Sequence, residues 1–193
     1  MAQDAGSMRG WLLPLLAIVA LPATASTQTG GAVAEKKGMP SQRDLEQLTP
    51  EQIIAGAERA HPAALYMLAS KLMGAGRRDE AVRWFYIGQL RYRFHLMTDP
   101  PNAADERILF SALSESVGRA INEYAFGDVH GAVREIDAAL VWDAAHANHF
   151  TSRSAFPAQF AKTREGLVAL RNDMLARKDE IRETRRSNGL PNR

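Results

Sequence analysis

The chain has 193 residues, 46% hydrophobic and 24% charged, and its 24 basic and 22 acidic side chains leave a net charge of +2. This composition suits a globular protein with one sizeable core, and so small a positive surplus gives no electrostatic case for nucleic acid as a partner. Cysteine is absent, which removes disulfides, thiolate chemistry and a lipid-attachment cysteine and leaves the redox compartment open.

Residues 1–25 have the pattern of a secretory signal peptide. Arg9 supplies the positive charge, Trp11 to Leu21 the apolar run, and Ala23-Thr24-Ala25 a small-residue cleavage site. Asp4 is unusual in such a segment, and a start at Met8 would leave a cleaner one. The apolar run is too short to cross a hydrocarbon layer of about 30 Å as a helix; an uncleaved anchor is the alternative to cleavage. The expected location is therefore periplasmic or secreted, with no stable membrane span after cleavage. Residues 26–42, rich in Gly, Ala, Ser, Thr and Lys and without periodicity, read as a flexible linker.

A single helical domain is expected over residues 43–187. Thr49-Pro50-Glu51-Gln52 carries a capping box and a first-turn proline, opening a helix with Ile53, Ile54 and Ala57 that ends at His61-Pro62. Pro62 then suits the first position of a second helix, whose stripe is Leu65, Leu68, Ala69 and Leu72. Gly74-Ala75-Gly76 provides the exit. From about Asp79 to Met97 the chain is apolar almost all round. Ala81, Trp84, Phe85, Gly88, Tyr92 and Leu96 share one face, while Val82, Tyr86, Ile87, Leu90, Phe94 and Met97 cover much of the rest. Such a helix is buried on several sides. Asp99-Pro100-Pro101 stops it.

This two-helix stretch, residues 62–97, resembles one unit of a tetratricopeptide or Sel1-like repeat. Leu65, Leu68, Ala69, Leu72, Ala81, Phe85 and Gly88 fall at about tetratricopeptide spacings, and the Gly-x-Gly turn followed by Asp79-Glu80-Ala81-Val82-x-Trp84-Phe85 is similar to Sel1. The resemblance implies a helical scaffold that binds another protein, and no catalytic residue comes with it. The usual closing proline is displaced to Pro100-Pro101, and only Gly131-Ala132-Val133 loosely echoes Glu80-Ala81-Val82. A regular solenoid needs about three units. The expectation is thus a compact all-α bundle of five to six helices around the hairpin.

A long helix is predicted from Ala103 to Phe126, with Leu109, Leu113, Val117, Ala120, Ile121 and Tyr124 as its stripe and Gly118 as either a close crossing or a break. After Gly127-Asp128 another helix carries Val133, Ile136, Leu140 and Ala144. Residues 148–156 read as a loop. Pro157 opens a long C-terminal helix to about Arg186, in which Phe160, Leu167, Met174 and Ile181 recur every seven residues; beyond Leu175 it is expected to project. Residues 188–193 read as a disordered tail. No stretch alternates as a strand does.

The chemical motifs are few. Asp143, His146 and His149 on one helix swing across about 120° and do not converge, while His61, His95 and His130 lie far apart in sequence. Neither a metal site nor a cofactor is expected, and the standard serine- and zinc-hydrolase signatures are missing. Glu115-Ser116, followed by Asn122-Glu123-Tyr124, resembles the Glu-Ser pair of lytic transglycosylases. The Gly-Leu-Met-Gln segment of that family is absent, and Glu115 falls on a polar face, where nothing would raise its pKa for acid catalysis.

Arg83, Arg91 and Arg93 sit on a helix with few polar faces, and buried charges need partners. Glu123 is the candidate partner for Arg91 or Arg93; the alternative is that each side chain reaches water along its stem. Arg177, Lys178, Arg182, Arg185 and Arg186, set against Asp179, Glu180 and Glu183, form a candidate arm for an acidic partner, or a solvated helix end suited to the helix dipole. Together these features point away from an enzyme. They suggest an exported protein-interaction module, such as an immunity-type inhibitor or an assembly factor. The alternative is a cell-envelope hydrolase acting on cell-wall material.

Overall fold

The computed structural model describes residues 46–193; the predicted signal peptide and linker lie outside the described residues. All regular structure among the described residues is helical: α1 Pro50–Gly56, α2 Pro62–Gly74, α3 Arg78–Met97, α4 Ala103–Ser116, α5 Gly118–Ala125, α6 Val129–Ala145, α7 Pro157–Ala176 and α8 Lys178–Ser187. The capping box forms as the sequence dictates. Thr49 N–H donates to Gln52 Oε1 at 2.8 Å and Gln52 N–H to Thr49 Oγ1 at 3.3 Å. α2 closes through Gly76, whose φ of +79° lets Arg77 N–H reach back to Leu72 O at 2.9 Å, the six-to-one bond of a left-handed helix ending.

α3 is the axis. It packs against α2, α4, α5, α6 and α7, and Trp84, Phe85, Ile87, Leu90, Tyr92 and Phe94 are all buried on it. Surrounded on so many sides, it shows no single apolar stripe. Two glycines set the close approaches. A Cβ at Gly88 would meet Tyr66 at 3.1 Å and Leu65 at 3.3 Å on α2, and one at Gly118 would meet Phe85 Cζ at 2.9 Å.

Two predicted long helices are each interrupted. The first breaks at Val117, between α4 and α5, where Gly118 lies against the ring of Phe85. The second breaks at Arg177 (φ −104°, ψ 17°). The C-terminal part does not project. Arg185 on α8 is buried, and residues 188–193 turn back so that Arg193 N–H donates to Gly127 O at 2.6 Å. These residues lie against the end of α5, where Arg193 Nη2 also donates to Tyr124 O at 2.8 Å. No helix of the described residues is long and apolar enough to cross a membrane.

Phe85 is 2% exposed and packs its ring against Tyr66 and Tyr86. Phe85→Ala is expected to cost about 3–5 kcal/mol, measured by urea unfolding followed by circular dichroism; a loss under about 1 kcal/mol would show that α3 is not the axis of the core.

Candidate functional site

The titratable groups gather at one end of the bundle, where α3 finishes. His61, His95, His146 and His149 all lie there. The covering segment is the loop 146–156 between α6 and α7. Two buried carboxylates, Glu106 and Asp143, organise the region.

Glu106 stands on the first turns of α4, beneath the Asp99-Pro100-Pro101 stop, where Asp99 takes a φ of +50°. Its Oε2 accepts from Tyr92 Oη at 2.6 Å and its Oε1 from Asn102 Nδ2 at 2.9 Å. His61 Nε2 lies 3.2 Å from Oε2. His61 caps α2, its Nδ1 accepting from Ala63 N–H at 3.1 Å. The tautomer follows: Nδ1 is an acceptor, so the proton is on Nε2 and points at Glu106. Burial pushes the Glu106 carboxyl up, but the Tyr92 hydroxyl, His61 and Asn102 together hold it below the usual carboxylate value. Burial also holds His61 below the usual imidazole value, against the pull of Glu106.

Asp143 on α6 is 1% exposed, and Arg91 on α3 is 2% exposed. Arg91 Nε donates to Asp143 Oδ1 at 3.0 Å, Nη1 to Ala57 O at 3.0 Å, and Nη2 to Ala147 O at 3.0 Å. Its guanidinium lies 4.8 Å from the Trp142 ring centre. Arg153 of the loop adds a second bond to Asp143 Oδ1 at 2.8 Å, and Arg164 of α7 approaches Oδ2 at 3.6 Å. Burial lowers the pKa of Arg91, opposed by the charge of Asp143. Three guanidinium groups thus converge on one carboxylate.

The expected partnership of Glu123 with Arg91 is replaced by this arrangement. Arg91 faces α6 and the loop, whereas Glu123 is exposed on α5 and offers its backbone carbonyl to Arg185 Nη1 at 2.9 Å. Arg93 donates from Nε to Gln89 Oε1 at 3.0 Å and lies over the Phe110 ring, and burial pushes its pKa down to about 10. The five basic residues of the candidate arm have separate fates. Arg177 spans Asp173 and Glu180, Arg186 pairs with Glu183, and Arg185 is buried with Nη2 donating to Pro191 O at 2.7 Å. Lys178 is half-buried and Arg182 exposed.

Glu115 is exposed and paired with Arg119, and Ser116 Oγ donates to Ala112 O at 2.8 Å. That pair is a surface feature. No group of three or more His, Asp or Glu side chains among the described residues is arranged to hold a metal ion. Sequence reasoning missed the two carboxylate clusters. Their available signal was Arg91, a cation on a helix apolar all round; its partner lies 52 residues away, beyond any local pattern.

No family model matches the chain, and no solved structure matches it. An uncharacterised protein of Haemophilus influenzae is 30% identical over 124 residues, which is 63% of this chain and 48% of that protein. The chain therefore spans about half the length of the curated relative it matches.

Two stability effects follow from the clusters. Asp143→Ala leaves Arg91 buried without its counter-charge and is expected to cost about 3–5 kcal/mol in urea unfolding. Joint replacement, Arg91→Met with Asp143→Leu, should recover part of that loss, and a double variant no more stable than the single one would refute the ion-pair account. Because the folded carboxyl of Glu106 lies below the ordinary 4.5, the stability it contributes is present above that pH and is lost as pH falls through its folded value. Tyr92→Phe should cost about 1.5–3 kcal/mol at pH 7, and its deficit relative to the natural chain should shrink in unfolding curves taken below about pH 4.

Proposed function

We propose that the protein is an exported, non-enzymatic helical module that binds another protein, with α2 and α3 as a tetratricopeptide- or Sel1-like hairpin at the centre of a compact bundle. The observation that carries this reading is how the buried carboxylates are used. Glu106 faces Tyr92, Asn102 and His61, and Asp143 faces Arg91, Arg153 and Arg164. Side chains committed this way hold helices and a loop in register, which is the work of a scaffold. The glycine at the α2–α3 crossing supports the hairpin resemblance, since Gly88 lets α3 lie against Leu65 and Tyr66.

Export rests on the pattern of residues 1–25, and a periplasmic or secreted location follows from it. For the binding face, α4 is the best-suited element. Ile108 is 70% exposed on it, and Leu109, Phe110 and Leu113 are partly buried. A large exposed apolar side chain beside a half-covered apolar row is a common mark of a protein contact.

The test pairs capture with an activity assay. Tagged full-length chain, expressed in its own host and purified from the cell envelope, should retain a partner that Ile108→Asp loses without any change in Tm. Intact-mass analysis of the same material should give a chain starting near Ser26. Release of soluble fragments from purified cell-wall material by the chain alone would overturn the reading in favour of a hydrolase, and a mass that retains residues 1–25 would overturn the cleaved-export part.

A further inference from the structure

Residues 146–156 are fastened to the polar end of the bundle through two histidines. Phe150 sits with its ring centre 4.8 Å from that of His61 and 4.9 Å from that of His95, and the two imidazoles are 6.1 Å apart. Thr151, which is buried, places Oγ1 3.0 Å from His95 Nδ1. We propose that this loop is an acid-released latch: protonation of His61 and His95 frees Phe150 and Thr151 and uncovers the layer containing Tyr92 and Glu106.

The geometry makes the neutral state of His61 part of the closed form. Nδ1 already accepts the Ala63 N–H, so a second proton on the ring must go where a donor points at it. Two opposed N–H groups force the ring to turn or the first turn of α2 to loosen. Either movement reaches Phe150, whose ring meets the imidazole at 74°. Charging His95 as well would place two like charges 6.1 Å apart beside Phe150, and these repel each other.

The charged and titratable groups around the pair are few. Facing His61 are Glu106 from α4 and Tyr92 and His95 from α3; facing His95 are His61, Glu106 and the Thr151 hydroxyl. Arg91, one turn before His95, and Arg153 of the loop are turned to Asp143. Glu106 favours protonation of both histidines, but burial opposes it and prevails, and at His95 the neighbouring His61 adds to the opposition. The closed form therefore binds fewer protons than the open one, so closure weakens as pH falls through and below the ordinary imidazole value of 6.5. Glu106, held below 4.5, remains ionised across that range. His149 N–H donates to Glu58 O at 2.8 Å, and its ring lies 3.7 Å from the Glu58 carboxylate. That contact and the Arg153–Asp143 pair keep residues 149 and 153 tied, and the opening is confined to Phe150 and Thr151 between them.

Amide hydrogen exchange on the full chain, read by mass spectrometry as protection factors at pH 7.5 and pH 5.5, tests the latch. Protection at Phe150 and Thr151, whose amide donates to Asn148 Oδ1 at 3.0 Å, should fall by about tenfold at the lower pH, while the His149 amide and the α3 amides at 85–90 keep theirs. In the double variant His61→Asn, His95→Gln, where Asn keeps an acceptor at the cap and neither side chain titrates, loop protection should not change with pH. If that variant proves unstable, His95→Gln alone should reduce the acid effect by about threefold. An equal loss of protection in variant and natural chain, no loss in the natural chain, or an equal loss in α3 would each overturn the proposal.

Discussion

One buried ion pair fixes how the helices meet. Arg91 and Asp143 are both removed from water, and isolated burial of either charge would be prohibitive. Their attraction is not a net gain over a well-packed apolar pair. What it supplies is direction. A guanidinium has five donors in a rigid plane, and those of Arg91 reach Asp143 on α6, Ala57 just past α1, and Ala147 in the loop after α6. Ala57 and the stretch from Asp143 to Ala147, far apart in sequence, must both be set against α3 before this cation is satisfied.

The axis helix α3 thus has two ends of different character. Around Trp84 and Phe85 it is packed by apolar and aromatic neighbours, with Trp84 against Trp142 at 4.9 Å. Toward its C-terminus it carries Gln89, Arg91, Tyr92, Arg93 and His95, and each reaches across to another element or along α3. α4 depends on this polar end. Only Ala103 and Glu106 are buried on it. It is held by the Glu106 bonds, by Gln89 Nε2 donating to Ser114 Oγ at 3.2 Å, and by Phe110 edge-on to Tyr92 at 5.2 Å. Leu109, Phe110 and Leu113 cover the core only in part, and Ile108 on the same helix remains in solvent.

Much of this was legible locally. The Thr49 capping box, the prolines opening α2 and α7, the Gly76 exit and the all-round apolar character of α3 are each written within a few residues, and each appears where the spacing places it. The break at Arg177 was not, and the one at Val117 was legible only as one of two readings of Gly118. A continuous apolar stripe runs through Leu113, Val117 and Ile121, and the Phe85 ring that lies against Gly118 belongs to another helix. The partner of Arg91 was equally hidden, because charge complementarity names a sign but not a position. Arg185 misled in the opposite sense. Its setting among Glu183, Thr184 and Arg186 looks like a solvated helix end, yet its side chain is drawn in by the carbonyls of Glu123 and Pro191.

These arginines share a task that explains the choice of residue. The last carbonyls of a helix have no partner within it, and at both ends of the bundle a guanidinium supplies one. Arg91 serves Ala57 and Ala147 and Arg153 serves Asp143, all near the ends of α1 and α6. At the other end Arg185 serves Glu123, and Arg193, stacked 3.6 Å over the Tyr124 ring, serves Tyr124 O at 2.8 Å. Each places a cation where the helix dipole is negative. Lysine at position 91 would keep the charge but not the plane. A single ammonium has no reach across acceptors on α6, on the turn after α1 and in the loop at once, and it has no flat face to lay on Trp142. The fold therefore uses the geometry of arginine more than its charge, and a chain of such small net charge can bury its cations because each is placed among oxygen atoms already fixed by helix ends.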